Sequence, residues 1–343
     1  MVIFRWIFAV LNVLITIDTE VWPRDPDWRE TLLAKEFERD FIGRTPAGDF
    51  GVPYQIEVFN RHGLKAVFHV ESLFASAIGL DPLSKEVAAI LAGRQEVQLH
   101  LHPEWLAWIK DRDLPASRGP YLHQYSVTEQ TAMLRAALSN LAAAGAGKCT
   151  AFRAGNFGAN LDSLEALSNV GIRFDTSHNT AYLGRGCELN TGRSELQPRT
   201  INGVLELPIG FVRDGLGQIR HCQLGACSLE EICGAMCQAW ERGWQYFVVV
   251  SHSFELVQRR DTARGSIGAT RPDETVLRRF HGLCEFLAQH SGRFRTIGFN
   301  DIDAGHVSDT GSETPLTSSF IHTLKRSFQQ ARRRYWADTT RQD

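Results

Sequence analysis

Short apolar runs alternate with amphipathic stretches along most of the chain. Runs that are apolar or strictly alternating predict strands at residues 13–17, 66–70, 96–102, 150–153, 172–175, 205–208, 246–250 and 294–299. Apolar positions that recur every three or four residues predict helices at residues 52–61, 83–91, 127–144, 161–170, 228–242 and 274–290. Because helices separate successive strands, the sheet should be parallel. Seven or eight strands of this kind favour a closed or nearly closed β/α barrel over an open sheet.

Two of the predicted helices carry explicit start signals. Ser126 is followed three residues later by Glu129, and Ser228 is followed at the same spacing by Glu231. In such a capping box the serine hydroxyl accepts from the backbone N–H of the acidic residue, whose carboxylate accepts from the serine N–H. We therefore expect helices to begin directly after these two serines.

The start of the chain is apolar enough to need separate consideration. Residues 2–17 contain a single charge, Arg5, but the run is shorter than the about 18–20 residues that span a membrane. It continues directly into Asp18, with no signal-peptide cleavage site. We predict a buried strand from residue 13, preceded by an apolar lead-in at residues 1–12. A membrane anchor or an uncleaved signal is the alternative.

The chain changes character again after the last predicted strand. Residues 13–304 form the predicted barrel domain, and Gly, Ser, Thr and Asp are abundant just beyond it. A basic segment follows, in which Phe320, Leu324 and Phe328 fall at helical spacing. We predict that residues 305–343 form a linker and an exposed basic helix. A helix that binds a membrane surface or a partner is the alternative.

Composition excludes several classes of protein. The 343 residues are 43% hydrophobic and 22% charged, which excludes a disordered chain, a collagen and a coiled coil. A formal net charge of −2 gives no electrostatic basis for binding nucleic acid, and no glycine-rich nucleotide-binding motif follows a predicted strand. Seven cysteines, an odd number without regular spacing, indicate reduced thiols in a cytoplasmic protein.

Acidic and histidine residues lie where three of the predicted strands end. Asp18 and Glu20 follow the first strand, His100 and His102 end another, and His252 follows a third. Side chains two residues apart share one face of a strand. The carboxyl ends of parallel strands meet at one rim, where active sites are built. Any one of these residues could be a turn cap, a solvated residue or a structural histidine, but their shared position favours a site.

Carboxylate and imidazole groups together are ligands for a divalent transition metal. Zn²⁺ fits best, and Co²⁺, Ni²⁺, Mn²⁺ and Fe²⁺ are alternatives. A metal held by three protein ligands keeps a position for water and polarises a carbonyl group, while a spare carboxylate and a histidine can move protons. These groups suit metal-assisted hydrolysis of an amide or an ester. His69 lies inside a strand and is instead predicted to be a core histidine.

Seven short motifs follow the order that is found in a known family. The first, Thr-Ile-Asp-Thr-Glu, stands where that family has a T-F-D-D-like motif, and Phe-Arg-Ala-Gly-Asn-Phe-Gly is similar to its R-x-P-x-G motif. The motifs lie at residues 16–20, 63–70, 100–105, 152–158, 174–177, 205–208 and 250–252. Over residues 13–302 the chain thus resembles the polysaccharide deacetylase (NodB-homology) superfamily of metal-dependent carbohydrate de-N-acetylases. The resemblance implies a distorted (β/α) barrel.

The resemblance also implies roles for single residues. Asp18 would be the general base that activates the water held by the metal, and Arg153 would hold that carboxylate in place and keep it ionised. His252 would be the general acid that protonates the departing amine. Backbone N–H groups after the first motif, together with the metal, would stabilise the oxyanion.

Two motifs depart from the family pattern. Thr19 stands where the family has a ligating Asp, so Glu20 is the nearest replacement as a metal ligand. The second motif is H-x-H-P-E instead of H-x-x-x-H, so His100 could be joined by either His102 or Glu104. We prefer His102, because it shares a strand face with His100 and imidazole binds zinc well. The changes leave open a metal-free amidase or an inactive relative.

Within the matched motifs, Glu104, Trp105, Asn156 and Asp175 are candidates for substrate binding. The long loop at residues 105–125 adds further aromatic candidates for a sugar-stacking wall, unless they only pack the loop: Trp108, Tyr121, His123 and Tyr125. The expected function is removal of an N-acyl group, acetyl first, from an amino sugar in a glycan or glycan precursor. The alternatives are hydrolysis of another non-peptide C–N bond, such as a formamide or cyclic amide, and glycan binding without turnover.

Overall fold

The computed structural model describes residues 10–190, 197–261, 267–303 and 314–338. The strands are β1 (Leu11–Thr19), β2 (Arg44–Thr45), β3 (Gly48–Asp49), β4 (Ala66–Glu71), β5 (Glu96–Leu101), β6 (Ala151–Ala154), β7 (Phe174–Asp175), β8 (Arg199–Ile201), β9 (Val204–Glu206), β10 (Phe211–Arg213), β11 (Ile219–His221), β12 (Tyr246–His252), β13 (Val257–Asp261), β14 (Ile267–Pro272) and β15 (Phe294–Thr296). The helices are α1 (Ala34–Asp40), α2 (Val52–Arg61), α3 (Ala75–Ile78), α4 (Asp81–Ala92), α5 (Val127–Ala143), α6 (Leu161–Asn169), α7 (Leu229–Glu241), α8 (Glu274–Gln289) and α9 (Phe320–Asp338).

One curled sheet forms the centre of the fold. Its strand order is β12–β1–β4–β5–β6–β7–β9–β8, and β15 pairs with the first residues of β1. The pairings are parallel except that of β8 with β9. Single residue pairs, Ile209 with Val248 and Gln223 with Val250, connect the segment after β9 to β12. The predicted distorted (β/α) barrel is confirmed as a half-barrel with eight parallel strands in the described residues.

β1 pairs with three strands, β12, β4 and β15, and sets the register of the rim. Its side chains are almost all buried, which explains its nearly continuous apolar sequence. The register places Asp18 opposite His252 of β12 on one side and opposite His69 of β4 on the other. In the same way His100 of β5 lies opposite Arg153 of β6. Strand pairing therefore brings the predicted chemical residues of separate strands to one end of the sheet.

The capping signals and the core histidine are confirmed. Oγ of Ser126 accepts from the N–H of Glu129, and Oγ of Ser228 accepts from that of Glu231. His69 is buried, and its Nδ1 lies 3.2 Å from the carbonyl oxygen of a β5 residue. The sequence did not predict α1 or the hairpins β2–β3, β10–β11 and β13–β14, whose strands are mostly too short to show a periodic pattern.

The two ends of the chain differ from the prediction in detail. β1 begins at Leu11, two residues earlier than expected, and the lead-in before Val10 lies outside the described residues. The C-terminal helix α9 packs on the barrel domain and is not freely exposed as predicted. The side chain of Arg326 is buried, and its Nη2 donates to Oδ2 of Asp214 at 2.8 Å. Most of the predicted linker falls on residues 304–313, outside the described ranges. Within those ranges, no helix is both long enough and apolar enough to cross a membrane.

Candidate active site

Three buried side chains each point one ligand atom at a common centre. Oε1 of Glu20 lies 3.2 Å from Nε2 of His100 and 3.3 Å from Nε2 of His102, and the two nitrogens are 3.1 Å apart. At metal–nitrogen distances of about 2.0–2.1 Å, the ligand atoms of a tetrahedral site lie about 3.3–3.4 Å apart. Glu20, His100 and His102 are therefore spaced as a small divalent cation requires.

The contacts of Nδ1 in His100 and His102 determine whether Nε2 of each ring faces the common centre with a proton or with a lone pair. Nδ1 of His100 lies 2.8 Å from the carbonyl oxygen of Arg153, which can only accept, so Nδ1 carries the proton. Nδ1 of His102 lies 3.2 Å from a carboxylate oxygen of Glu104, with the same consequence. When both rings are neutral, two Nε2 lone pairs therefore face each other beside a carboxylate. Because three acceptors repel one another unless a cation or a proton lies among them, this donor set fits a metal ion.

The pKa shifts of Glu20 and His102 also indicate that the centre favours a positive charge. Burial alone would raise the pKa of Glu20, yet the neighbouring imidazoles hold that pKa well below its usual value. Burial would likewise lower the pKa of His102, but the carboxylates of Glu20 and Glu104 raise it well above its usual value. Nε1 of Trp22 donates to the second oxygen of Glu20 at 2.6 Å. The centre thus contains an ionised carboxylate whose charge a cation would balance.

Glu104 lies behind His102 instead of at the common centre. Its other oxygen accepts from Nδ2 of Asn156 at 2.8 Å, so a chain of hydrogen bonds runs from Asn156 to the His102 ring. Gly155 provides the space for that ring, because a Cβ atom there would lie 2.6 Å from its ring atoms. Of the two candidates for the third ligand, the geometry favours His102, and Glu104 orients its ring.

A buried guanidinium beneath the pocket floor positions Asp18. Nη1 of Arg153 donates to Oδ1 of Asp18 at 2.7 Å, Nη2 donates to Oγ1 of Thr16 at 2.8 Å, and Nε donates to the carbonyl oxygen of Thr176 at 3.1 Å. Burial would raise the pKa of Asp18, but the charge of Arg153 and the nearby imidazoles hold it below its usual value. Asp18 is therefore an ionised carboxylate at neutral pH.

His252 faces that carboxylate, with Nε2 at 3.9 Å from Oδ2 of Asp18. Burial would lower the pKa of His252, but the carboxylates of Glu255 and Asp18, at 3.8 and 3.9 Å from its ring nitrogens, raise the pKa to about 9. Nε2 of Gln223 lies 3.2 Å from Nδ1 of the same ring. Glu255 is itself fixed, since the N–H of Gly225 donates to it at 2.6 Å and Oγ of Ser251 at 2.8 Å. The pocket thus contains an ionised carboxylate next to a protonated imidazole, which are the states that a general base and a general acid need.

Asp18, Glu20 and His252 form a second group whose ligand atoms lie within 4.8 Å of one another. The 3.9 Å between Asp18 and His252 is wider than the about 3.3–3.4 Å of a tetrahedral site. Of the two groups, the one formed by Glu20, His100 and His102 therefore has the spacing that a tetrahedral cation requires.

These groups line an open pocket of about 440 Å³. Part of its wall is formed by five aromatic side chains: Trp22, Tyr121, Phe157, Tyr182 and Phe254. Asn156, Arg185 and Gln223 add polar groups, so the predicted substrate-binding residue Asn156 does reach the pocket. A concave pocket that combines aromatic side chains with convergent polar groups is typical of small-molecule sites.

The loop aromatics predicted to form a sugar-stacking wall mostly pack inside the protein. Trp105 is fully buried among neighbouring tryptophans, so the prediction that it binds substrate is wrong. The short 3₁₀ helix Pro103–Ala107 turns its indole into the core. Tyr125 is also buried, Trp108 packs against Trp105, and His123 stacks on the ring of Tyr121. Tyr121 alone of the five lines the pocket.

Asp175 lies in the sheet and does not reach the pocket, so the prediction that it binds substrate is also wrong. It is buried in β7, paired with Glu206 of β9, and Oγ of Ser177 donates to it at 2.7 Å. Burial raises the pKa of both carboxyl groups, which lets the pair retain a proton. The two carboxyl groups therefore belong to neighbouring strands of the sheet and not to the pocket lining.

Sequence reasoning missed several residues of the site. Trp22 lies two positions beyond Glu20, and Glu255 lies three beyond His252, so their proximity to a predicted site residue was the available signal. Tyr182 and Gln223 come from irregular segments far along the chain, and no local pattern indicates them.

No protein-family model matches the chain, and no curated protein does. Solved structures match over most of its length. A Mycobacterium smegmatis protein described as a "putative polysaccharide deacetylase" has a TM-score of 0.53 at 15% identity, covering 91% of this chain and 95% of the other. A family 4 carbohydrate esterase from Streptomyces lividans has a TM-score of 0.42 at 11% identity, covering 84% of this chain and 93% of the other. A 4-alpha-glucanotransferase from Thermococcus litoralis has a TM-score of 0.50 at 8% identity, covering 85% of this chain and 40% of the other.

The chain therefore has the fold of the polysaccharide deacetylases, as its ordered motifs predicted. The same comparison shows that a protein described as a glucanotransferase shares much of this architecture. Because one fold hosts different reactions, the reaction of this protein has to be inferred from its site.

Proposed function

We propose that this protein is a metal-dependent hydrolase that removes an N-acyl group, most simply acetyl, from an amino sugar in a glycan or glycan precursor. The observation that carries the proposal is the set of facing ligand atoms of Glu20, His100 and His102 beside the Asp18–His252 pair. Both lie in one pocket with aromatic walls.

Glu20, His100 and His102 would hold the cation, and Zn²⁺ suits this mixture of imidazole and carboxylate best, with Co²⁺, Ni²⁺, Mn²⁺ or Fe²⁺ as substitutes. The cation supplies Lewis acidity, which polarises the amide carbonyl and acidifies a water molecule. Asp18, whose Oδ1 is occupied by Arg153, takes the proton of the attacking water on Oδ2. His252 gives the proton on Nε2 to the amide nitrogen as the C–N bond breaks, which releases acetate and the free amine.

The pocket walls support a sugar as the group that carries the amide. Pyranose rings present apolar C–H faces and polar edges, and the pocket offers flat aromatic side chains next to polar ones such as Asn156 and Gln223. The substrate class is therefore an N-acylated amino sugar.

Acetate release from a panel of N-acetylated sugars and oligosaccharides tests the activity, with the zinc-loaded protein and its Asp18→Asn variant compared. We expect Asp18→Asn to lose at least about 100-fold in kcat while it keeps its metal, because only the base is removed. A zinc- or cobalt-loaded protein that binds these sugars but releases neither acetate nor formate is a glycan-binding relative. Formate release or ring opening would instead identify the other C–N hydrolases.

Metal content of matched variants tests the ligand set. We expect His102→Gln to abolish stoichiometric zinc binding, whereas Glu104→Gln keeps a ligand set intact and weakens zinc binding by about 10–100-fold. Asp175→Asn, which lies away from the pocket, is the control for nonspecific damage. Loss of zinc in Glu104→Gln with retention in His102→Gln would contradict the assignment.

A further inference from the structure

The exposed hydrophobic side chains of the described residues are concentrated in one place. Every large one that is more than half exposed belongs to a single patch, which we call the outward stripe: Leu216 (61%), Phe320 (51%), Ile321 (74%), Leu324 (51%) and Phe328 (74%). Four of the five lie on α9. Isolated exposed apolar residues are ordinary, but a contiguous group of this kind marks a surface that interacts with something.

The stripe is continuous because of helical geometry. At about 100° per residue, Phe320, Ile321, Leu324 and Phe328 fall within an arc of about 100° on α9. Leu216 extends the arc, since the N–H of its neighbour Gly215 donates to Oγ1 of Thr323 on the first turn of α9. The outward stripe therefore runs from the β10–β11 turn along α9.

The opposite face of α9 is polar and is the one that contacts the barrel domain. Arg326 is buried and bonds to Asp214, and Arg333 donates to Asp273 at 2.7 Å. Gln330 donates to a backbone carbonyl of the same domain at 3.2 Å. An amphipathic helix normally buries its apolar face and exposes its polar one. In α9 the arrangement is reversed, and its apolar face is held outward by the buried Arg326–Asp214 pair and the partly buried Arg333–Asp273 pair.

The charges beside the stripe indicate what covers it. Lys325 and Arg332 lie on one flank of the arc, about 20–40° beyond Ile321, and both are exposed. Lys325 forms an ion pair with Glu230 at the surface, where such a pair is weak. Two copies of α9 packed antiparallel through the stripe would bring these cations together on the same flank, where like charges repel. An anionic surface with an apolar layer beneath it fits both features at once.

We propose that α9 docks this protein on a lipid surface that contains anionic headgroups. The outward stripe enters the boundary between headgroups and acyl chains, and Arg332 contacts the lipid phosphates, as does Lys325 when it exchanges its exposed partner Glu230 for a phosphate. The helix lies in the plane of the surface, because its other face is bonded to the barrel domain. This proposal rests on the outward stripe and its flanking cations, and it holds whether or not the protein is a deacetylase.

Flotation of the full-length protein with vesicles tests the proposal. We expect binding to vesicles of phosphatidylcholine with phosphatidylglycerol, and weaker binding to phosphatidylcholine alone. Ile321→Gln and Phe328→Gln should each lower the partition coefficient by roughly tenfold. Lys325→Gln with Arg332→Gln should remove most of the preference for the anionic vesicles.

The matched controls are Leu91→Gln and Leu161→Gln, which replace leucines that are 41% and 43% exposed on α4 and α6. They should leave vesicle binding unchanged. The proposal is overturned if the wild-type protein binds neither vesicle, or if the α9 variants bind as tightly as the wild-type protein does. It is also overturned if light scattering finds a dimer that Ile321→Gln dissociates, since a second copy of the chain would then cover the stripe.

Discussion

Gly155 controls the position of a proposed metal ligand to which it makes no hydrogen bond. A Cβ atom at this position would lie 2.6 Å from the ring of His102, and that ring is held in place by Glu104 on its other side. At the scale of single residues, the site therefore depends on the lack of a Cβ atom at Gly155 as well as on the proposed ligands.

We expect Gly155→Ala to weaken zinc affinity by about 10–100-fold, because the displaced ring no longer shares a centre with Glu20 and His100. Zinc affinity is measured by competition with a chelator. Gly234→Ala is the matched control, since its added Cβ meets no other atom within 4 Å. Equal zinc affinity in both variants would show that His102 is not a ligand.

Glu255 is predicted to act through His252 as a positioning residue. Its carboxylate, 3.8 Å from Nδ1 of His252, contributes to the raised pKa of about 9 of that imidazole, so His252 stays protonated until the pH exceeds that value. In Glu255→Gln the alkaline limb of the pH profile of kcat/KM should move down by about one pH unit, with zinc content unchanged. Ser251→Ala removes a hydrogen bond to Glu255 but not its charge, and it should shift the limb less. An unchanged limb in Glu255→Gln would mean that another group titrates there.

At the scale of elements, α9 combines a buried ion pair with an exposed one on adjacent residues. Arg326 is buried against Asp214 and Glu231, while Lys325 contacts Glu230 at the surface. A buried partner left without its counter-charge costs about 3–5 kcal/mol, whereas an exposed pair contributes about 0–1 kcal/mol. The docking of α9 should therefore depend on Arg326.

We expect Arg326→Ala to lower the free energy of opening of α9 by about 3 kcal/mol, seen as faster hydrogen exchange of its backbone amides. Lys325→Ala, one residue away, should change the exchange by less than about 1 kcal/mol. If the two variants exchange alike, the buried pair does not hold α9 on the barrel domain.

At the scale of the whole molecule, buried carboxyl groups should make stability depend on pH. Glu86 of α4 is buried, neither of its oxygens has a hydrogen-bond partner among the described residues, and burial raises its pKa well above its usual value. The folded protein then keeps a proton that the unfolded chain releases above about pH 4.5. Since the folded state binds more protons in that interval, its stability falls as the pH rises.

Glu86→Met, which fills a similar volume without a charge, should raise the free energy of unfolding at pH 8 by about 1–3 kcal/mol. The gain should be smaller at pH 5, where the wild-type carboxyl group is protonated in the folded state. Urea unfolding at both pH values measures the difference. Glu165→Met replaces an exposed glutamate on α6 and should show no such pH dependence. A gain of equal size at both pH values would contradict a protonated Glu86.

The strand pattern and the residues at the strand ends were sufficient to predict the barrel and the core of its candidate site. Asp18 and His252 lie at paired register positions of β1 and β12, and the common direction of parallel strands brings such positions to one rim. Side chains two residues apart share a strand face, which is why His100 and His102 were expected to point at one spot.

The tertiary structure alone decided what depends on contacts between distant segments. Trp105 and Asp175 carry the right chemistry for a pocket, but a short 3₁₀ helix and a strand pairing bury them. Glu104 has a carboxylate that could bind a metal, but its hydrogen bond from Asn156 and its contact with Nδ1 of His102 keep it away from the common centre. Periodicity records which face of an element is apolar, and it carries no information on which distant residue that face will meet. The sequence by itself therefore determined the order of the strands along the chain and the residue types at their ends, and only packing decided which of those residues face the pocket and that α9 presents its apolar face outward.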